Sequence, residues 1–130
     1  MATALHEACR VLDKDGVVYV AEPLAEGEFF ALCRAVDDET DVRALAQRAV
    51  LSHPRLRLAQ TFEYIHPVLL ADFAAFQARL VSANEEREAR FAAHHDALAA
   101  RFAESGQAVE GGRQFLQPMR VHVLHPRQAV

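Results

Sequence analysis

The opening segment of the chain, where a helix, a turn and a strand follow one another, constrains the fold most. Apolar side chains recur at helical spacing on one face of residues 2–12, namely Leu5, Ala8, Cys9 and Leu12. Residues 13–16 end this helix, and residues 17–21 form an apolar run typical of a strand buried on both faces of a sheet. Because proline fixes φ and lacks an amide donor, Glu22 and Pro23 are predicted to end the strand. The segment predicts a helix-to-strand unit of an α/β sheet. Such a unit normally stands in the middle of a fold, whereas here it stands at the start of the sequence.

Two further helices and a second strand are predicted before residue 66. A short helix over residues 26–35 precedes a helix whose amino end carries capping and acidic side chains, namely Asp37, Asp38, Glu39 and Thr40. The sequence His53-Pro54 ends that helix. From residue 56 to residue 65 the pattern alternates with period two, which predicts a strand with one wetter face.

The rest of the chain predicts two more helices and a last strand. Pro67 is expected to open a helix with an apolar stripe made of Leu69, Phe73, Phe76 and Leu80. A break at Ser82 or Asn84 precedes a helix that runs to about Glu104, with its inward residues Phe91, Leu98 and Phe102. Residues 119–125 alternate as a strand, so Pro118 requires a late start, a bulge or an edge position. The count is three strands and about five helices.

The composition fits one domain over residues 1–130. The chain has 130 residues, of which 52% are hydrophobic, and this is enough to bury a core. A formal net charge of −4 without a basic stripe makes nucleic acid an unexpected partner. No apolar run approaches the roughly 20 residues that a membrane span needs, so we expect no membrane partner and a cytoplasmic location.

No constellation of residues predicts independent catalysis or a metal site. The sequence has neither a phosphate-binding glycine loop nor a Gly-x-Ser-x-Gly elbow. Its seven histidines and two cysteines lack the spacing of metal ligands. The acidic run at residues 37–41 is explained by helix capping without an ion. A hydrolase or metalloenzyme working alone is therefore the least supported function, and we predict no catalytic residue and no metal ligand.

Three polar side chains lie at or just past the ends of predicted strands, namely Glu22, Tyr64 and His66. Open α/β sheets bind ligands at the carboxyl ends of their strands, so these residues form a possible ligand face. A second interpretation of Tyr64 is a core residue whose hydroxyl is hydrogen-bonded. Both interpretations remain open at this point.

Several segments resemble one enzyme family. Residues 4–12 read ALHEACRVL and lead through a turn into a strand that closes in Glu-Pro. With residues 35–40, 72–76 and 115–121, they resemble the C-terminal half of a class I S-adenosylmethionine-dependent methyltransferase of a bacterial subgroup. The resemblance covers nearly the whole chain, and the Asp-Lys-Asp-Gly turn is its main departure.

The resemblance implies a fold and a missing part. It implies a three-stranded mixed sheet, ordered 17–21, 119–125, 56–64, as in the C-terminal half of a Rossmann-like methyltransferase. The Gly-rich half that binds S-adenosylmethionine in the complete family does not precede residue 5. We therefore expect a truncated, methyltransferase-like chain that has no cofactor-binding residue and binds no cofactor alone.

The strand at residues 17–21 would then have a bare edge. Its apolar, uncharged residues are Val17, Val18, Tyr19 and Val20, and natural proteins rarely leave such an edge exposed. A homodimer paired through this edge would cover it, as would a separately encoded N-terminal half. Two functions follow. The chain is either the C-terminal part of a methyltransferase-like protein, not catalytic by itself, or a stand-alone dimeric binding module derived from one.

Overall fold

The computed structural model describes residues 1–82 and 84–128, and these form six helices and four strands. The helices are α1 (Ala2–Val11), α2 (Glu28–Cys33), α3 (Thr40–Leu51), α4 (Phe73–Val81), α5 (Glu85–Ala93) and α6 (His95–Glu104). The strands are β1 (Val18–Pro23), β2 (Leu56–Leu70), β3 (Gln107–Val109) and β4 (Gly112–Pro126). The predicted α/β class is confirmed.

The strands form one open sheet with the order β1-β4-β2, and β3 also pairs with β4. The order that the resemblance implied for the three long segments is confirmed. The predicted mixed sheet is wrong, because the sheet is antiparallel. β1 and β4 pair from Val18 opposite Leu124 to Pro23 opposite Met119. β1 is thus a terminal strand, as predicted.

Residue contacts divide the chain into two compact units, which we call unit 1 and unit 2. Unit 1 comprises Met1–Pro23, Thr40–Tyr64 and the segment from Met119, whereas unit 2 comprises Leu24–Glu39 and Ile65–Pro118. Both β2 and β4 contribute residues to both units. The prediction of one domain over the whole chain stays a prediction.

Unit 1 has a small core between two helices and the sheet. Its buried residues are Leu5, Cys9, Val50, Leu56 and Leu124. Leu5 and Cys9 come from the predicted face of α1, and Val18 and Val20 of β1 pack against the same core. Helices α1 and α3 contact each other. One face of β1 is therefore covered by helices, which explains why it is apolar.

Unit 2 has a larger, aromatic core. Its buried residues are Leu32, Val36, Val68, Leu70, Phe76, Leu80, Phe91, Leu98, Phe102 and Phe115. The rings of Phe102 and Phe115 lie 5.3 Å apart, and those of Phe73 and Phe91 lie 5.5 Å apart. The predicted inward positions at Phe91, Leu98 and Phe102 are confirmed.

Of two boundaries predicted at prolines, one is confirmed and one is wrong. β1 ends at Pro23, as predicted, with Glu22 and Pro23 as its last two residues. Pro67 does not open a helix, because it lies inside β2, which continues to Leu70. Both strands lie at an end of the sheet order, where a strand tolerates a residue without an amide donor. Proline position therefore located the end of β1 but not that of β2.

Helix α4 begins later than predicted. The side chain of Asp72 accepts a hydrogen bond from the amide of Ala75 at 2.7 Å and caps the helix. Leu69 lies in β2 and is 55% exposed, so it does not belong to the predicted apolar stripe. Phe76 and Leu80 of that stripe are buried. A capping side chain, and not Pro67, sets the start of α4.

The C-terminal third contains one more helix and one more strand than predicted. The helix expected to run to about Glu104 is broken at His94, which ends α5 and precedes α6. Asn84 caps α5, because its side chain accepts from the amide of Glu86 at 2.9 Å. The last strand begins at Gly112, forms a hairpin with β3, and includes Pro118 in its interior. β3 has only three residues, too few to give a periodic signal.

Candidate functional site

A cluster of polar side chains lies on one face of the sheet in unit 1. Glu22 of β1 is paired with Arg120 of β4, and Val20 is paired with His122. Residues directly opposite each other in antiparallel strands project from the same face, and so do residues two apart along a strand. Glu22, Arg120 and His122 therefore share a face.

Two residues of β2 complete this cluster. Arg120 donates from Nε and Nη2 to Oε1 of Glu63, at 3.1 and 2.8 Å. The Oγ1 atom of Thr61 lies 3.2 Å from Nδ1 of His122, within hydrogen-bond distance. We call Glu22, Thr61, Glu63, Arg120 and His122 the polar cluster. It spans the three strands that unit 1 contributes to the sheet.

Glu22 is the least satisfied member of the polar cluster. Its Oε1 atom is buried and has no hydrogen-bond partner among the described residues. Burial raises the pKa of the Glu22 carboxyl, and the positive charge of the chain's amino terminus opposes this shift in part. Its neighbour across the strands, Arg120, donates to Glu63 instead. Glu22 therefore has an acceptor free for one further polar group.

The surroundings of His122 favour its neutral form. It is 4% exposed, and this burial lowers its pKa, as does the nearby charge of Arg120. A neutral imidazole has one donor and one acceptor nitrogen, and here Nδ1 faces the hydroxyl of Thr61. His122 therefore joins β4 to β2 as an uncharged polar group.

The polar cluster does not fit the whole cofactor that the resemblance implies. S-adenosylmethionine presents an amine, a carboxylate, ribose hydroxyls and a purine, so its binding needs several converging polar groups. Arg120 bonds to Glu63 and His122 faces Thr61, and Oε1 of Glu22 is the buried side-chain oxygen of the cluster without a partner among the described residues. The cluster therefore does not present a set of converging unpaired groups that matches the whole molecule.

The structure places the three residues of the predicted ligand face differently. Glu22 belongs to the polar cluster. Tyr64 directly follows Glu63 in β2, so its side chain projects from the opposite face, where it is 41% exposed. This exposure also disfavours its interpretation as a core residue. His66 is an exposed residue of unit 2. Glu22 and Tyr64 are thus not brought together on one face.

Sequence reasoning did not propose Thr61, Glu63, Arg120 and His122 as site residues. A signal for them exists, because Thr61 with Glu63, and Arg120 with His122, have the two-residue spacing of one strand face. What the sequence lacks is the register that sets Glu22 opposite Arg120. The polar cluster could be found only after the strands were paired.

The opposite face of the sheet in unit 1 carries exposed aromatic side chains. Tyr19 is 59% exposed, and its ring lies edge-on to that of Phe62, with the ring centres 6.3 Å apart. Val17, just before the strand, is also exposed, whereas Val18 and Val20 pack against the core of unit 1. The four residues of the predicted edge are therefore divided between a covered and an open side.

Among residues 1–82 and 84–128, no group of three or more His, Cys, Asp or Glu side chains is arranged to hold a metal ion. Within the same residues, no helix combines the length and apolar character needed to cross a membrane.

Comparison with protein-family models gives no match to this chain, and no curated protein matches it.

Proposed function

We propose that this chain is the C-terminal part of an S-adenosylmethionine-dependent methyltransferase-like protein, and that it acts in association and not as a catalyst alone. The observation that carries this proposal is the strand order β1-β4-β2, with β4 antiparallel to β1. This is the order that the resemblance implies for the C-terminal half of the Rossmann-like methyltransferase fold. The order involves contacts between distant segments, so it is independent of the local motifs that suggested the family.

The free edge of β1 is the proposed surface of association. β1 pairs with β4 on one side, and among the described residues no strand pairs with its other side. Its side chains from Val18 to Ala21 carry no charge, whereas edge strands of monomeric proteins are usually protected by charge, proline or a covering element. We infer that a cofactor-binding half, encoded separately, adds its strands at this edge.

Titration calorimetry with S-adenosylmethionine tests the first part of the proposal. The purified chain should give no saturable heat, because the polar groups of the cluster are bonded mainly to one another, whereas this ligand needs several converging partners. Micromolar binding by the chain alone would contradict the proposal. The related product S-adenosylhomocysteine serves as a second ligand that lacks the sulfonium charge.

A stand-alone dimeric binding module is the second candidate function. Because the open edge belongs to an antiparallel sheet, two copies can pair edge to edge about a two-fold axis. The exposed Tyr19 ring would then lie beside that interface. In this case the protein would form a dimer and bind a partner or ligand without catalysing methyl transfer.

Light scattering after size-exclusion chromatography separates the two candidates. A monomer mass of 14.4 kDa at micromolar concentration favours the first candidate, in which the cofactor-binding half is a separate chain. Twice this mass favours the dimeric module. If a dimer forms, Tyr19→Lys should dissociate it by placing two like charges near the paired edges. Tyr64→Lys, at an exposed tyrosine of β2, is the matched control and should leave the mass unchanged.

We also propose a cytoplasmic location. Among residues 1–82 and 84–128, Cys9 and Cys33 form no disulfide. Cysteines without disulfides are typical of proteins in a reducing compartment.

A further inference from the structure

A second concave site lies in unit 1, apart from the polar cluster. It is a cavity of about 530 Å³ between the end of α1, the segment before β2 and the end of β4. Three cationic side chains line it, namely Lys14, Arg55 and Arg127, together with one carboxylate, that of Asp13. The cavity lining is thus positive by two charges, although the whole chain has a formal net charge of −4.

The cations of this cavity are not neutralised by the described part of the chain. Among residues 1–82 and 84–128, no carboxylate forms an ion pair with Lys14, Arg55 or Arg127. The carboxylate of Asp13 instead accepts a hydrogen bond from the amide of Lys14 at 2.7 Å. Asp13 therefore stabilises the turn after α1, and the side chains of Lys14, Arg55 and Arg127 keep N–H donors for another anion.

Backbone contacts hold the two guanidinium groups in place. Nη2 of Arg55 donates to the carbonyl of Cys9 at 3.5 Å, and Nε of Arg127 donates to the carbonyl of Leu56 at 2.9 Å. A guanidinium carries five N–H donors, so each group retains several for a ligand. Fixed guanidinium groups lose less entropy on binding an anion than free ones do.

The remaining walls of the cavity suit an apolar ligand body. They include Leu12, Pro54 and Pro126, as well as the thiol of Cys9. The thiol lies 3.9 Å from Nδ1 of His53, which also accepts from the amide of Arg55 at 3.3 Å. A volume of about 530 Å³ is within the usual range for small-molecule sites and exceeds the size of an isolated phosphate.

We propose that this cavity binds a small organic anion, in which a phosphate or carboxylate group contacts Lys14, Arg55 and Arg127 and an apolar body contacts Leu12, Pro54 and Pro126. The recognition chemistry is that of an oxyanion held by guanidinium and ammonium donors. The site is independent of the methyltransferase proposal, since none of its lining residues belongs to β1 or to the polar cluster.

Binding of phenyl phosphate, benzoate and inorganic phosphate, followed by calorimetry, tests this proposal. Phenyl phosphate or benzoate should bind saturably and more tightly than inorganic phosphate, because the ring adds apolar contacts. If phenyl phosphate binds more tightly than benzoate, the preferred anionic group is a phosphate, and in the opposite case it is a carboxylate. Losing one charged donor should weaken binding about tenfold in Arg55→Gln and somewhat less in Lys14→Gln.

Arg57→Gln is the matched control, because it removes the same charge from an exposed position of β2 that does not line the cavity. Its affinity should equal that of the unchanged protein. Lys14 lies in an exposed turn, so Lys14→Gln keeps the test valid if Arg55→Gln fails to fold. The proposal is overturned if neither organic anion binds below about 10 mM, or if both charge variants bind as tightly as the control.

A second readout uses the two thiols. The bound anion should slow the alkylation of Cys9, which lines the cavity, and leave that of Cys33 in α2 unchanged. Mass spectrometry of the two peptides gives both rates in one sample. Equal rates with and without the anion, at concentrations where calorimetry shows saturation, would place the bound anion elsewhere.

Discussion

At the scale of single residues, the polar cluster combines satisfied and unsatisfied groups on one sheet face. Arg120 and Glu63 satisfy each other, and His122 faces Thr61, whereas Oε1 of Glu22 is buried without a partner among the described residues. A buried polar atom without a hydrogen bond costs free energy. The cluster should therefore influence how the stability of the chain depends on pH.

Glu22→Gln should stabilise the chain at neutral pH. Burial raises the folded-state pKa of Glu22 above its unfolded value, so the folded chain binds the proton more tightly. Stability from this group is present at low pH and is lost as pH rises through the folded pKa. A neutral isostere removes that loss, and we expect a gain of up to about 1 kcal/mol at pH 7.

Urea denaturation at pH 7 and near pH 4 measures this effect. The advantage of Glu22→Gln should shrink at the lower pH, where the carboxyl of the unchanged protein is protonated. Glu110→Gln removes an exposed carboxylate at the β3–β4 turn and is the charge-matched control. A Glu22→Gln protein that is less stable than the unchanged chain at pH 7 would refute the argument.

His122 should give the opposite dependence on pH. Its folded-state pKa lies below the unfolded value, because burial and Arg120 disfavour the imidazolium. Stability from this group is present above the unfolded pKa of about 6.5 and is lost as pH falls through the folded pKa. Between pH 7 and pH 5, His122→Gln should therefore lose less stability than the unchanged protein does. His6→Gln, at an exposed position of α1, should match the unchanged protein at both pH values.

At the scale of elements, prolines and hairpins account for most differences between the predicted and observed boundaries. Pro67 and Pro118 lie inside strands, whereas the sequence placed Pro67 at a helix start and gave Pro118 a late strand start, a bulge or an edge position. Whether a strand tolerates proline depends on its place in the sheet, which is known only after strands are paired. Local signals succeeded where the cause was local, as at the cap Asn84 and at the end of α6 at Glu104.

The site was predictable to a smaller degree than the fold. Glu22 could be proposed because a strand end is visible in the sequence. Its neighbours Arg120 and His122 could not, since they lie about one hundred positions away and meet Glu22 only through the register of β1 and β4. Alternation indicates which residues share a face of one strand, but not which strand is adjacent.

The cap of α4 gives a test at this scale. Asp72→Ala removes the side-chain acceptor of the Ala75 amide and should lower the free energy of unfolding by about 1 kcal/mol. Asp15→Ala, at an exposed turn position, is the control for the loss of an aspartate. Equal stability of the two variants, measured by urea denaturation, would show that the cap contributes nothing.

The β3–β4 hairpin offers a paired test at two adjacent glycines. Both Gly111 and Gly112 have positive φ, at 88° and 147°. A Cβ at position 111 meets open space, with its nearest neighbour 3.9 Å away, whereas one at position 112 overlaps the backbone of Leu70 and Ala71. Gly111→Ala should cost about 1 kcal/mol from backbone strain alone, and Gly112→Ala should cost roughly 1–3 kcal/mol more. Thermal unfolding of both variants decides this, and equal costs would exclude the close approach.

At the scale of the whole molecule, the described residues form two separate hydrophobic cores. The core of unit 1 centres on Leu5, Val50 and Leu124, and that of unit 2 centres on the phenylalanine cluster. No residue belongs to both cores among those described. The strands β2 and β4 carry residues of each, so the covalent chain passes repeatedly between the units.

Hydrogen exchange should reveal the two cores as separate cooperative units. Phe91→Leu leaves a gap at a fully buried position of unit 2 and should accelerate amide exchange in α4 and α6. Amides of α1 and α3 should exchange at unchanged rates, because their side chains pack in the other core. Leu5→Ala should give the reciprocal pattern. Uniform acceleration across all helices in both variants would instead mean that residues 1–130 unfold as one domain, which is the organisation that the sequence predicted.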